Sequence, residues 1–168
     1  PNTGDEVSLL GYGCMRLPTV KTDGEGDAID QEAVNRLVDH ALAHGVNYFD
    51  TAPVYCKARS EEAMGKALSR HPRDSYFIAT KLSNFDPSTH SLERSREMFE
   101  NSLKLLQTDH IDYLLLHAIG NGGMDNFNVR YADNGLLDWL VEQKKAGRIR
   151  NLGFSFHGDV GVFNEMLA

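Results

Sequence analysis

Four polar side chains that follow apolar runs of the sequence could form one catalytic site. Asp50, Lys81 and His117 each end an apolar run, and Tyr55 lies five residues beyond Asp50. A lysine in a partly dry site is costly unless a carboxylate pairs with it, and a nearby ammonium lowers the pKa of a tyrosine. Such a tyrosine is a better general acid, and a histidine can orient a carbonyl oxygen or relay a proton. Together these residue types are suited to proton transfer at a carbonyl group.

Each of these residues also has a purely structural explanation when it is taken alone. Asp50 could accept hydrogen bonds from backbone amides at a strand end, and Lys81 could be a solvated lysine. His117 could be a core histidine with its hydrogen bonds satisfied, and Tyr55 could fill space in a loop. The catalytic interpretation therefore depends on whether the secondary structure brings the four side chains together.

Short apolar runs alternate with longer amphipathic segments along the chain. The predicted strands are 8–17, 46–50, 76–80, 111–116 and 149–154, and the predicted helices are 31–44, 60–68, 92–106, 136–146 and 160 onward. Asp30 is expected to cap the first helix and Ser60 the second. Apolar strands separated by helices imply a parallel sheet covered on both faces.

The spacing of the strand ends is typical of repeated βα units. Asp50, Lys81, His117 and Ser155 lie 31, 36 and 38 residues apart, which matches the ~30 or more residues of one such unit. A doubly wound sheet and a (β/α)₈ TIM barrel both have this order. The barrel is favoured because the one candidate for a GxGxxG phosphate loop, residues 11–16, has Arg in its last position and lies within a strand. In a barrel, the polar strand ends converge on one face.

Several of these segments resemble the aldo-keto reductase family. The resemblance rests on residues 47–55, 60–68, 78–81, 114–117 and 149–155. It implies reduction of an aldehyde or ketone to an alcohol by NADPH. It also implies a catalytic tetrad in which Tyr55 is the acid and Asp50, Lys81 and His117 support it.

The same resemblance implies where the cofactor binds. Met15, Arg16, Asp50 and His117 match positions that border NADPH in this family, and Ser155 matches a residue that binds the nicotinamide amide. The family commonly has Ser-Asn after the fifth strand, whereas this chain has Ser155 followed by a phenylalanine. Residues 13–18 and 153–158 also resemble a bacterial branch that is often followed by an iron–sulfur segment. With only two cysteines in the sequence, we predict no iron–sulfur cluster and no metal site within this chain.

Composition disfavours several other functions. The net charge of −7 disfavours nucleic-acid binding, and no apolar run approaches the ~18 residues that a membrane helix needs. Two cysteines without a CxxC pattern indicate a reducing, cytoplasmic location. We therefore expect a small-molecule carbonyl substrate as the partner, with neither nucleic acid nor membrane involved.

The length of the chain leaves alternatives open. A (β/α)₈ barrel takes about 250 residues, so residues 1–168 are expected to be a single partial barrel domain of about five units, a fragment whose activity alone is open. Its open sheet edges could support self-association. Other possibilities are a non-catalytic or regulatory barrel, a half-barrel completed by partner chains, and an aldolase that uses Lys81 as a Schiff-base nucleophile. An aldolase would leave the Asn47–Leu68 signature unexplained. A non-catalytic barrel would be expected to lack a member of the tetrad, and all four members are present.

Overall fold

The computed structural model describes residues 3–22 and 26–168, which form a parallel sheet covered by helices. The strands are β1 (Tyr12–Gly13), β2 (Thr19–Thr22), β3 (Gly26–Ile29), β4 (Tyr48–Asp50), β5 (Phe77–Leu82), β6 (Ile111–Ile119) and β7 (Ile149–Phe156). The helices are α1 (Gln31–Ala43), α2 (Ser60–Leu68), α3 (Leu92–Leu106), α4 (Gly123–Phe127), α5 (Leu136–Lys145) and α6 (Val160–Leu167). Within these residues, no helix combines the length and apolarity that crossing a membrane would require.

The order of the main sheet is that of a barrel. Its strands run β1-β4-β5-β6-β7, and every neighbouring pair is parallel. Strand order follows chain order without the reversal that defines a doubly wound sheet. Because all these strands point the same way, their carboxyl ends lie on one side of the sheet. This arrangement places the ends of β4, β5 and β6 next to one another.

The sequence predictions were wrong near the start of the chain. The first strand is limited to Tyr12–Gly13, since the chain before it bends and the Ser8 N–H instead donates to the Asn47 side chain (2.8 Å). Between the first strand and the first helix, where no strand was predicted, β2 and β3 form an antiparallel hairpin. The residues of β2 are all exposed, so this strand has no apolar alternation that the sequence could reveal.

The five predicted helices match α1, α2, α3, α5 and α6 to within a residue, whereas α4 was not predicted and one predicted cap was wrong. The Asp30 side chain accepts a hydrogen bond from the Ala33 N–H (2.9 Å) at the start of α1, as predicted. Ser60 was expected to cap α2, but it is fully buried. Its hydroxyl donates to the Cys14 carbonyl (2.8 Å) and contacts the Thr51 hydroxyl (2.8 Å). Ser60 therefore joins α2 to the ends of β1 and β4 instead of capping the helix.

A buried carboxylate holds the sheet together on the side opposite these strand ends. Asp112, near the start of β6, is completely buried. Its Oδ2 accepts hydrogen bonds from the Ile78 N–H (2.8 Å) and from Arg73 Nη2 (2.6 Å). Arg150 Nη1 lies 2.9 Å from Oδ1. Asp112 thus links three consecutive strands, because Ile78 belongs to β5 and Arg150 to β7.

Candidate active site

An ion pair lies at the carboxyl ends of β4 and β5. Lys81 is 4% exposed, and its Nζ donates to Asp50 Oδ1 (2.7 Å) and to the Thr51 carbonyl (2.8 Å). The Asp50 side chain remains 32% exposed. A buried ammonium is tolerated only when it is paired and hydrogen-bonded, and these two acceptors meet both conditions. The Lys81 ammonium is therefore held at one position beside the site.

Tyr55 and His117 meet this ion pair. The Lys81 Nζ lies 4.8 Å from the centroid of the Tyr55 ring. The rings of Tyr55 and His117 pack edge to face with centroids 5.9 Å apart. The structure thus brings together the four side chains that the sequence singled out, although their chemical roles remain predictions.

His117 occupies a mostly apolar and cationic environment. It is 7% exposed and packs against Phe85, with ring centroids 4.9 Å apart. Burial, helped by the nearby charges of Lys81, Arg130 and His157, lowers the pKa of His117 to about 4. The imidazole is therefore neutral near pH 7, so that one ring nitrogen carries a proton and the other does not.

Ser83 is a contact of the site that sequence reasoning missed. Its hydroxyl lies 2.7 Å from His117 Nδ1. The direction of this hydrogen bond determines whether the other ring nitrogen, Nε2, donates or accepts. A signal for Ser83 was present, because residues two apart in a strand share a face and Ser83 lies two positions after Lys81.

A β-bulge in β6 sets the direction of His117. Leu116 pairs with Phe154 and Ile119 with Phe156, so two residues of β6 oppose Ser155 alone. Ala118, the second of these two residues, has a positive φ of 54°. Its N–H donates to the Ser155 hydroxyl (2.9 Å). Bulges commonly redirect a side chain next to an active site, and this one lies at His117.

Three of the five predicted cofactor residues lie near the ends of the outer strands of the sheet, β1 and β7. Met15, which is 58% exposed, and Arg16 lie on the open segment after β1. Ser155 is half-buried near the end of β7. The Ser155 oxygen accepts the Ala118 N–H, and in the described part of the chain its hydroxyl proton has no hydrogen-bond acceptor, so it can donate to a ligand. Two of the predicted cofactor positions, Asp50 and His117, belong to the central cluster itself.

A left-handed turn follows Tyr55. Cys56, Lys57 and Ala58 have φ values of 52°, 57° and 61°. For residues other than glycine this conformation costs roughly 1–2 kcal/mol each. The turn is held by Arg59, whose side chain donates to the carbonyls of Cys56 (3.1 Å) and Asp27 (2.8 Å). The loop that carries Tyr55 is therefore fixed at a local energetic cost.

Replacing Ala58 by Gly should stabilise the protein. Ala58 is exposed and has φ 61°, so the substitution removes strain without losing packing, by about 0.5–1 kcal/mol after the greater backbone entropy of glycine is allowed for. Urea unfolding measures the change. The matched control is Ala33→Gly within α1, which should destabilise by about 1 kcal/mol. A loss of stability in Ala58→Gly would contradict the assigned turn.

Comparisons with known proteins agree with this architecture. The sequence model of the Aldo/keto reductase family matches residues 9–167. The chain belongs to this family. It is 33% identical over 157 residues to the L-galactose dehydrogenase of Arabidopsis thaliana, covering 92% of this chain and 46% of that protein. The chain spans about half the length of the curated relatives it matches.

Solved structures of the family share the fold. An aldo-keto reductase from Bacillus halodurans in its holo form superposes with a TM-score of 0.74 at 33% identity, covering 96% of this chain and 50% of that one. An aldo-keto reductase from Klebsiella pneumoniae in complex with NADPH gives 0.68 at 25% identity, covering 96% and 49%. The predicted fold class is therefore confirmed: the described residues contain five of the eight strand–helix units of a (β/α)₈ barrel.

Proposed function

We propose that the protein reduces an aldehyde or ketone to an alcohol with NADPH as the hydride donor. Tyr55 is the general acid, and Asp50, Lys81 and His117 support it. The observation that carries the proposal is the contact of the Tyr55 ring with both the Lys81 ammonium (4.8 Å) and the His117 ring (5.9 Å). These groups come from three separate segments of the chain, and their meeting point lies at the face where barrel enzymes carry their active sites.

The charges in the cluster suit proton donation by Tyr55. When a tyrosine gives its proton to a developing alkoxide it becomes a phenolate, which a nearby positive charge stabilises. The Lys81 ammonium supplies that charge, and Asp50 keeps it in place. His117 remains neutral because its pKa is about 4, so it can hydrogen-bond the carbonyl oxygen without adding a second charge. In this proposal Tyr55 is the acid, Lys81 supplies the charge that stabilises the phenolate, and His117 orients the carbonyl group.

The residues present fit a nicotinamide cofactor. Asp50, Tyr55, Lys81 and His117 can move or hold protons, but none can supply a hydride, which NADPH would provide when bound. Arg16 offers an exposed positive charge, and the free Ser155 proton offers a hydrogen-bond donor. Met15, Arg16, Asp50, His117 and Ser155 are therefore proposed to hold the cofactor at the carboxyl ends of the strands.

The alternative use of Lys81 as a Schiff-base nucleophile has less support. A nucleophilic lysine must lose a proton and reach its substrate. Lys81 is 4% exposed and makes two short hydrogen bonds, one of them to a carboxylate. These acceptors hold the amine in place, and its burial blocks access to the nitrogen. The same contacts are expected of a lysine whose charge stabilises the Tyr55 phenolate.

The function is tested by NADPH binding and by NADPH consumption. We expect the protein to quench or shift NADPH fluorescence on titration, and to oxidise NADPH in the presence of members of a panel of aldehydes and ketones. Borohydride treatment with the same carbonyls should leave Lys81 unmodified, as judged by peptide mass. Covalent trapping on Lys81 without NADPH consumption would contradict the reductase proposal and support the aldolase alternative.

A further inference from the structure

A buried arginine lies next to the candidate site without a carboxylate partner. Arg130 belongs to a wide turn, Asn128–Ala132, that follows α4, and it is 3% exposed. Among residues 3–22 and 26–168, no carboxylate lies within 4.0 Å of its guanidinium. A buried charge is costly unless its hydrogen-bonding groups are satisfied. The contacts of Arg130 therefore indicate what this charge does in the fold.

The guanidinium of Arg130 binds backbone carbonyls at the ends of β5 and β6. Its Nη2 donates to the His117 carbonyl (2.7 Å), its Nε to the Asn84 carbonyl (2.9 Å) and its Nη1 to the Ala118 carbonyl (3.4 Å). The guanidinium carbon lies 4.9 Å from the centroid of the Phe85 ring. These are the residues that surround the His117 imidazole or carry it.

Tyr131, the next residue, completes the same network. Its hydroxyl accepts from the His117 N–H (3.2 Å) and from Arg130 Nη2 (2.6 Å), and it donates to the Leu82 carbonyl (2.9 Å). The backbone pairing of β5 with β6 reaches Leu82 and Leu116. The Tyr131 hydroxyl therefore joins the two strands one residue beyond their last pair, directly at His117.

The network is needed because of the β-bulge. The bulged residues, His117 and Ala118, have no partners of their own in the register of β6 with β7. Buried backbone groups without partners would favour a different local conformation. Arg130 satisfies both of their carbonyls, Tyr131 satisfies the His117 N–H, and Ser155 satisfies the Ala118 N–H.

We propose that Arg130 is a positioning residue that holds the bulge at His117 and thereby aims the imidazole at Tyr55 and the reacting carbonyl. The proposal rests on the carbonyl reduction proposed above. Arg130 itself acts through its contacts with the backbone around His117. A displacement of about 1 Å in a reacting group can cost about 100-fold in rate, so a clamp on the backbone of His117 can affect catalysis strongly.

The positive charge of Arg130, like its hydrogen bonds, supports the proposed role of His117. The charged or titratable groups that shift His117 are Lys81 from β5, Arg130 from the turn and His157 after β7, and each is a cation or becomes one on protonation. The side chains of Tyr55 and Tyr131 also contact His117, the first through its ring and the second through its hydroxyl. Together with burial, these cations lower the pKa of His117 to about 4. Arg130 therefore helps to keep the imidazole in the neutral form that the proposed reaction uses.

The test compares Arg130→Gln, which removes the charge, with Arg130→Lys, which keeps it. The pKa of His117 is measured by NMR titration of its ring resonances, and kcat and the KM for NADPH are measured with a reducible carbonyl. In Arg130→Gln we expect the pKa of His117 to rise from about 4 toward its ordinary value of about 6.5. We also expect kcat to fall about 10- to 100-fold with the KM for NADPH little changed. Arg130→Lys should restore the pKa but only part of kcat.

Controls separate this role from general destabilisation. Arg94→Gln removes an arginine whose side chain is 59% exposed on α3, and it should leave the pKa of His117 and kcat unchanged. If Arg130→Gln does not fold, Tyr131→Phe replaces it, and a fall in kcat with unchanged NADPH affinity is expected. A folded Arg130→Gln with the wild-type pKa and kcat overturns the proposal, as does a Tyr131→Phe variant with wild-type kcat.

The two readouts also separate this proposal from the proposed function. The pKa of His117 is measured without turnover. If the wild-type protein reduces no carbonyl, the reductase proposal fails, and the titration of Arg130→Gln alone decides whether Arg130 controls His117. In that case an unchanged pKa overturns the role of Arg130, and a raised pKa supports it.

Discussion

Tyr55→Phe is expected to lower kcat for carbonyl reduction by about 10²- to 10⁴-fold, the usual contribution of a general acid. The substitution removes only the hydroxyl. The ring that contacts the Lys81 ammonium and His117 remains, so the shape of the site and the affinity for NADPH should change little. Steady-state kinetics with saturating NADPH measure the first effect, and fluorescence titration with NADPH measures the second.

The control is Tyr12→Phe, which removes a phenol hydroxyl outside the candidate site. Tyr12 lies in β1, where its ring packs on Phe49 with centroids 5.6 Å apart. We expect kcat in this variant to equal that of the wild type. If Tyr55→Phe retained kcat, another group would have to deliver the proton and the assigned acid would be wrong. Loss of NADPH affinity in Tyr55→Phe would instead indicate a binding role for the hydroxyl.

Asp112→Asn is expected to destabilise the fold by about 3 kcal/mol, which is the lower end of the range for breaking a buried ion pair. Asp112 is fully buried, and its charge faces Arg73 and Arg150. The lower end applies because the side chains of these arginines are 25% and 48% exposed, so that water can solvate them when the carboxylate is lost. The free energy of unfolding in urea, with a constant m-value, measures the effect.

The matched control is Asp39→Asn. Asp39 also contacts two basic side chains, Arg70 (2.6 Å) and His71 (2.7 Å), but its own side chain is 41% exposed. Exposed ion pairs contribute little because water and salt screen them, so the urea midpoint should stay close to that of the wild type. Equal losses of stability in Asp112→Asn and Asp39→Asn would show that burial does not determine how much a carboxylate contributes to the free energy of unfolding.

The sequence by itself predicted the repeating units and the residues of the central cluster. Periodicity located α1 and α3 almost to the residue, because each buries apolar side chains at helical spacing and begins with a side-chain cap. The strand ends identified Asp50, Lys81 and His117, since a polar side chain that directly follows a buried strand stands out in the sequence. Parallel strands in chain order then required these ends to lie together, and the structure agrees.

Only the tertiary structure revealed what holds that cluster in place. The bulge at His117 depends on a register shift between β6 and β7, which no local pattern encodes. Arg130 looks like an ordinary surface arginine in the sequence, and it is buried because the chain folds its turn back over the ends of two strands. Ser60, a good cap by type, is instead buried against Cys14 and Thr51, which directly follow β1 and β4. Local propensity and periodicity depend on near neighbours, whereas these contacts join residues 9 to 46 positions apart.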